Sequence, residues 1–224
     1  MPNMLEWDKV TEKLYETGVK NCALYPQVGG AYPKGVAWNG IINITDSPSG
    51  GEPSPLYADD TVYANLISTE TLGIKIEAYM YPDEFKPCNG ELELAKGVSV
   101  GQQKRQSFGI AYKTILGNDT ELDSYGYKLH IVYGCLAGPS EKSHDTVNES
   151  PDAMTMSWDI KTTPVTINTK KFKPTASIEI DSTKVDATKL EALEKVLFGS
   201  LEAEARLPLP DEIATIMSDA QAAG

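Results

Sequence analysis

The chain has 224 residues, of which 41% are hydrophobic and 23% are charged. This balance is typical of a folded globular domain and excludes wholesale disorder. The formal net charge of −12 disfavours binding to nucleic-acid phosphates, which proteins contact mainly through clustered Lys and Arg.

The N-terminal residues 1–8 carry Glu6 and Asp8 and lack the basic and apolar regions of a secretory signal. We therefore expect the protein to fold in a cytoplasm. No segment approaches the roughly 20 apolar residues that a membrane-spanning helix needs, so no membrane partner is expected.

Alternation of apolar and polar residues, which places every second side chain on one face of a strand, is the dominant pattern. It predicts strands at residues 73–81, 107–115, 125–135, 154–160 and 178–180, with a further strand around 36–44. Turn-forming Gly, Pro, Asn and Asp lie between these segments. The pattern predicts a mainly β fold, an antiparallel β-sandwich or barrel, and not an alternation of strands and helices.

Residues 46–64 interrupt this pattern between two predicted strands. They are rich in Pro, Gly and acidic residues and show weak periodicity. We interpret them as a long loop excursion from the sheet, longer than a hairpin connection needs.

One flanking C-terminal α-helix is predicted at about residues 188–198. Thr188 and Glu191 have the capping-box spacing, and Gly199 follows as a stop signal. Leucines recur on one helical face, at Leu190, Leu193 and Leu197. We expect this apolar stripe to cover an open face or edge of the sheet.

The remaining C-terminal residues are predicted to form an arm. The run 206–210 contains two prolines and should be stiff and extended, and residues 211–217 should form a last short helix. The sequence thus predicts a single domain over residues 1–224, with a β core at about 20–182, the helix at about 188–198 and a C-terminal arm at 200–224.

The residue types used in catalysis do not form a recognisable motif. His130 and His144 lie outside every metal-binding spacing, and Cys22, Cys88 and Cys135 include no CxxC pair. The sequence contains no Walker-type phosphate-binding glycine loop. We therefore expect no enzymatic activity, no cofactor, no bound metal and free thiols.

Acidic residues are concentrated in residues 40–93, which hold ten acids and two bases. This field should repel DNA and anionic membranes. The adjacent acids Asp59-Asp60 and Asp83-Glu84 lie at predicted turn edges, where carboxylates are mostly solvated. We interpret them as surface groups and not as a catalytic pair.

An ordered set of short strings resembles the major tail proteins, or tail tube proteins, of long-tailed siphophages that infect Gram-positive bacteria. The set covers most of residues 34–212. Its strings are KGVAWNGI at 34–41, SPSGGEPSPLYADD at 47–60, IEAYMYPDEF at 76–85, GQQKR at 101–105, GNDT at 117–120, GYKLH at 126–130, PSEK at 139–142 and RLPLP at 206–210.

The resemblance implies a structural virion protein that self-assembles into hexameric rings, which stack into the tail tube through which DNA is ejected into the host. Each subunit of that family is a β-sandwich flanked by a helix. Strands from neighbouring subunits join into a continuous barrel that lines the lumen, and a long loop and the terminal arm bridge successive rings. The implied partners are other copies of the chain, the tape measure protein, the tail terminator and tail tip proteins, and DNA that passes non-specifically.

Two sets of residues are candidates for these roles. We expect Lys75 and Glu77, on the polar face of one predicted strand, to face the lumen. The excursion is the candidate for ring-to-ring contact, because amphipathic Tyr on a polar surface is favoured at protein interfaces. Its candidate residues are Asp46, Glu52, Tyr57, Asp59, Asp60 and Tyr63.

Two alternatives stay open at this point. The first is another β-rich virion component, such as a capsid decoration or baseplate protein. The second is a carbohydrate-binding or adhesion β-sandwich, since one architecture serves many functions. Under the tail tube hypothesis, we expect the protein to be made in the host bacterial cytoplasm and to reside in the virion.

Overall fold

Antiparallel strands organise the computed structural model, which describes residues 4–144, 146, 153–168 and 172–218. The strands are β1 Tyr15–Pro26, β2 Val36–Ala37, β3 Ile41–Asp46, β4 Pro53–Ala58, β5 Thr61–Ile67, β6 Gly73–Ala78, β7 Leu92–Ala95, β8 Val98–Val100, β9 Phe108–Asn118, β10 Leu122–Ala137, β11 Met156–Thr162 and β12 Ser177–Asp181. The α-helices are α1 Ala187–Phe198 and α2 Pro210–Met217, and Asp83–Phe85 forms a short 3-10 helix. The predicted mainly β architecture is therefore confirmed.

The main sheet has the strand order β2-β1-β9-β10-β11-β6-β3. The long strand β10 has two partners on one side, because Lys128–Val132 pairs with β12 whereas Cys135–Ala137 pairs with β11. Between these two stretches lies Gly134, whose φ is +59°. A Cβ there would collide with the carbonyl oxygen of Thr163, so only glycine fits this change of partner.

The first hydrophobic core lies inside the bend of this sheet. Side chains of β1, β9 and β10, such as Leu24, Ile110 and Val132, face Ile76 of β6 and Trp158 of β11 across it. The sheet thus folds over itself as an open sandwich, and within the described residues its two end strands, β2 and β3, do not pair with each other.

The second hydrophobic core lies between the opposite face of β1, β9 and β10 and the two helices. Leu193 and Leu197 of α1 pack with Leu129 and Ile131 of β10. The hydroxyl of Tyr25 donates a 2.7 Å hydrogen bond to the carbonyl oxygen of Leu197. As expected, the apolar stripe of the helix covers a sheet face.

The start of α1 differs from the prediction in one detail. The N-cap is Asp186 and not Thr188, since Asp186 Oδ1 accepts hydrogen bonds from the backbone N–H groups of Thr188 and Lys189 at 2.9 and 3.1 Å. The capping-box spacing pointed to the wrong residue because a carboxylate two positions earlier is an equally good cap.

We expect Asp186→Ala to lower the free energy of unfolding by about 1 kcal/mol, because two backbone donors lose their acceptor. Urea denaturation followed by circular dichroism measures the change. Thr188→Ala is the control and should be nearly neutral, since Thr188 is exposed. Equal losses for both variants would contradict the assigned cap.

The segment after α1 returns to the sheet of its own protomer. Leu207 is buried and its N–H donates a 3.1 Å hydrogen bond to the carbonyl oxygen of Tyr32. The hydroxyl of Tyr133 donates to the carbonyl oxygen of Pro208 at 2.9 Å, and Ile213 of α2 is buried. The part of the predicted C-terminal arm at residues 219–224 lies outside the described residues.

Two further predictions need correction. The excursion at residues 46–64 is not a loop, because most of it forms strands β4 and β5. The predicted strand at 36–44 is divided into β2 and β3, since Gly40 adopts a φ of +79° between them.

Candidate assembly surfaces

The long hairpin, residues 50–70, extends from the β3–β6 pair. Ser49 and Thr71 exchange backbone hydrogen bonds of 2.9 and 2.8 Å, so the ladder continues past the ends of β3 and β6. Gly50 and Gly51 follow with φ values of +79° and +75°. A Cβ at Gly50 would collide with the carbonyl oxygen of Thr69, so this glycine permits the bend at which the hairpin leaves the sheet.

The far end of the long hairpin is a two-residue turn made by Asp59 and Asp60. Both have positive φ, +49° and +60°, which is the conformation of a type I′ turn. Asp tolerates this region better than most residues. The turn therefore places two carboxylates side by side at the tip.

Apolar side chains are exposed on both faces of the long hairpin. Leu56 and Leu66 share one face, whereas Tyr57, Val62 and Ile67 lie on the other, as the pairing register requires. Tyr57 is 71% exposed and Tyr63 76%. A two-stranded hairpin without a covering layer is only marginally stable in water, so this element needs a partner surface.

One edge of the long hairpin is also protected from adding a further strand. Pro53 and Pro55 of β4 have no N–H, and proline in a strand is tolerated where that group would point away from its partner. The outer edge of β4 thus lacks two donors, whereas β5 contains no proline. Strand addition is therefore favoured along β5.

Five of the six candidate inter-ring residues lie on the long hairpin. Tyr57, Asp59, Asp60 and Tyr63 lie together on the outer half of the long hairpin, and Glu52 lies at its base. The exception is Asp46, the last residue of β3 in the main sheet. Burial raises the pKa of the Tyr112 hydroxyl, and the negative charge of Asp46 adds to this effect.

The candidate lumen residues Lys75 and Glu77 lie on the exposed face of β6. Lys75 Nζ is 3.0 Å from Glu77 Oε1, and this hydrogen bond raises the pKa of Lys75. Asp159 and Lys161 of the neighbouring β11 lie on the same face. The face is therefore polar and balanced in charge.

In the described part of the chain, the end strands β2 and β3 and the branching strand β12 each leave an open edge in the main sheet. There β3 pairs only with β6, and β12 pairs only with β10. Unpaired N–H and C=O groups along such edges are templates for a strand of another chain. The sequence gives no signal for this property, because strand order depends on contacts between distant segments.

The segment before β1 exposes a further set of large apolar side chains. Thr11 N–H donates a 2.9 Å hydrogen bond to Asp119 Oδ1, and this contact holds the segment near the β9–β10 turn. The exposed side chains are Met4, Leu5, Trp7, Val10 and Leu14. Sequence analysis did not identify them as functional, since they form no regular period.

A charged cluster fastens β1, β10 and β12 to one another. Lys128 Nζ lies 2.9 Å from Glu16 Oε2 and 3.0 Å from Glu179 Oε1. Desolvation opposes ionisation of Glu16, but hydrogen bonds from Thr114 and Lys128 outweigh it and lower the pKa of this carboxyl. His130, a residue considered for catalysis, stacks on Tyr112 at 4.7 Å between ring centroids and belongs to this cluster.

The three thiols are buried and unsuited to chemistry. Burial raises the pKa of Cys22 and of Cys88 to about 12 and also raises that of Cys135. Thiols held neutral at physiological pH are poor nucleophiles and poor metal ligands. Among the described residues no group of His, Cys, Asp and Glu is arranged to hold a metal ion.

One cleft combines aromatic and polar groups, as a sugar site would. It has a volume of about 210 Å³ and is lined in part by Tyr81, Asn89, Arg105 and Trp158. Trp158 is only 1% exposed and its indole Nε1 donates a 3.1 Å hydrogen bond to Asn89 Oδ1. The indole therefore supports the first core and offers no open ring face for stacking on a ligand.

None of the helices in the described part of the chain has the length and apolar composition that crossing a bilayer needs.

Comparison with solved structures gives a loose likeness. No protein-family model matches the chain, and no curated protein matches it. A solved structure of Hcp1 from Flavobacterium johnsoniae is similar to 64% of this chain and 90% of its own, at 12% identity and a TM-score of 0.29. A likeness at this TM-score is too loose to define a shared fold.

Proposed function

We propose that the protein is a structural subunit that self-associates into a tube, namely the tail tube of a long-tailed bacteriophage. The observation that carries this proposal is the long hairpin, which exposes apolar side chains on both faces and is not covered by any described residue of its own protomer. Exposed apolar surface of this kind marks interaction sites. The ordered strings that resemble siphophage tail tube proteins supply the identity of the assembly.

The open edges of the sheet support ring formation. The outer edge of β3 in one copy and an open edge of a neighbouring copy can form an intersubunit ladder. Repeating such a heterologous contact around an axis closes a ring if the rotation per subunit fits. A closed ring leaves neither of the two joined edges exposed, which reduces the aggregation hazard of the single protomer.

The polar face that carries Lys75 and Glu77 suits the wall of a conduit. An ion pair between these residues leaves little free positive charge to hold a phosphate backbone. DNA is retained on a protein mainly by release of counterions at free Lys and Arg. A charge-balanced wall would therefore let DNA pass without binding it tightly.

The proposed function also implies the partners and the location of the protein. In the virion the tube would enclose the tape measure protein and end at the tail terminator and tail tip proteins, after synthesis in the host bacterial cytoplasm. The protein would act as a structural component and not as an enzyme, and would need no cofactor. The buried thiols and the occluded Trp158 are consistent with this role.

Negative-stain electron microscopy of the purified protein tests the proposal. We expect hollow filaments or stacked rings of uniform width. Their number should increase with protein concentration. Sedimentation velocity at the same concentrations gives the mass of the smallest closed ring. A monomer at every concentration tested, combined with binding on a glycan panel, would favour the adhesion alternative instead.

A further inference from the structure

The short hairpin, residues 91–100, carries a second uncovered apolar face. Strands β7 and β8 form a separate two-stranded sheet in which Leu92 lies opposite Val100. Leu94 and Val98 follow along the same face, and Leu94 is 73% exposed. Glu93 and Ser99 form the opposite, polar face. This hairpin is therefore amphipathic, and its apolar side lies open to solvent.

Charged side chains of both signs surround the short hairpin, but among the described residues only its acids have partners. Its two acids are engaged within the protomer, because Glu91 accepts a 2.7 Å hydrogen bond from Asn89 Nδ2 and Glu93 accepts a 2.9 Å hydrogen bond from the N–H of Gly97. Lys96 in its turn and Lys104 just beyond it are exposed. Neither lysine forms an ion pair with any residue that the structure describes.

The long hairpin has the complementary character. Residues 50–70 contain four acids and no base. Asp59 and Asp60 form its tip and, in the described part of the chain, neither has an ion-pair partner. Its apolar side chains continue from this tip along both faces.

We propose that the apolar face of the short hairpin is the docking surface for the long hairpin of a second copy of this chain, with Asp59 and Asp60 next to Lys96 and Lys104. This assignment rests on the proposed self-assembly and names the receiving surface of that contact. Apolar burial supplies the attraction, and the opposite charges at the rim set the register.

The charges also favour this contact over a symmetric contact between two identical hairpins. Two long hairpins placed tip to tip would bring four carboxylates together, and two short hairpins would bring their lysines together. Like charges that meet across an interface are strongly disfavoured. The contact is therefore head-to-tail, which repeats along an axis and does not stop at a dimer.

A set of charge variants tests the docking surface. The readout is the critical concentration for assembly of the full chain, measured by sedimentation and negative-stain microscopy. Lys96→Glu/Lys104→Glu should raise it about tenfold, because like charges then meet at the rim. Asp59→Asn/Asp60→Asn should raise it less, and Asn keeps the positive-φ turn. When the two pairs are combined, the repulsion disappears, so the critical concentration should fall below that of the lysine variant alone.

Two controls separate this contact from general effects of charge and folding. Lys34→Glu/Lys173→Glu makes the same change in net charge at exposed lysines outside both hairpins and should assemble at the wild-type concentration. Leu94→Asn should impair assembly without a change in circular dichroism, because Leu94 is exposed in the protomer.

Additive effects of the two charge pairs, or assembly of the lysine variant at the wild-type concentration, would overturn the docking surface and leave the tube proposal intact. A wild-type chain that forms no assemblies would overturn both.

Discussion

Replacing residues 50–70 with an Asn-Gly turn should abolish tube formation and leave a folded protomer. Ser49 and Thr71 already form a hydrogen-bonded pair, and Asn-Gly is the preferred connection between two such strand ends. The variant keeps both hydrophobic cores, since none of their buried residues lies in the long hairpin. Circular dichroism and sedimentation velocity should report a native β spectrum and monomers or isolated rings.

A milder variant is the matched control for this truncation. Tyr57→Ser/Tyr63→Ser keeps the length of the long hairpin and removes its two most exposed tyrosine side chains. We expect filaments that are shorter or appear only at higher protein concentration. Long, uniform tubes from the truncated chain would contradict a role of this hairpin in stacking.

Substitution of Phe85 by Ala should cause the largest loss of protomer stability, about 3–5 kcal/mol. Phe85 is fully buried, and its ring centroid lies 4.5 Å from that of Trp38, 5.2 Å from that of Trp158 and 5.4 Å from that of Phe108. Removing it opens a cavity among rings that are anchored on different segments of the chain. Equilibrium urea denaturation, monitored by tryptophan fluorescence, measures the loss.

Two comparisons limit how this result is interpreted. Phe85→Leu fills most of the same volume and should lose clearly less stability than Phe85→Ala. Tyr79→Ala removes an aromatic side chain that is 50% exposed and should be close to neutral. A loss below about 1 kcal/mol for Phe85→Ala would mean that the site can collapse around the missing ring.

Strict alternation was a reliable guide where a strand has one buried and one polar face. The prediction at 73–81 corresponds to β6, and that at 125–135 lies within β10. Strand β1 was missed because its alternation is interrupted. Gly18 and Asn21 adopt positive φ, and the register with β9 shifts between Thr17 and Lys20 and again before Ala23. Each bulge exchanges the faces of the residues that follow it.

The long hairpin was missed for a different reason. Its strands expose apolar side chains on both faces, so no period of two separates a core side from a solvent side. Its turn is Asp-Asp and lacks the usual glycine, which weakens the hairpin signal. The clustering of Tyr57 and Tyr63 was nevertheless visible in composition, and the structure places both on this one hairpin.

The short hairpin could have been recognised from the sequence. Leu92 and Leu94 alternate with Glu91 and Glu93, and a Lys-Gly turn precedes Val98. Which hairpins remain uncovered depends instead on the packing of segments far apart in sequence. That property required coordinates, as did the open edges of β3 and β12.

Strand β10 has a mechanical consequence for the protomer. Leu129 and Ile131 point into one apolar layer, whereas Val132 and Cys135 point into the other. Separating this strand from either neighbouring strand would therefore remove packing contacts from both hydrophobic cores together. Such coupling makes unfolding cooperative, so a protomer under axial load should behave as a stiff block that either holds its shape or gives way completely.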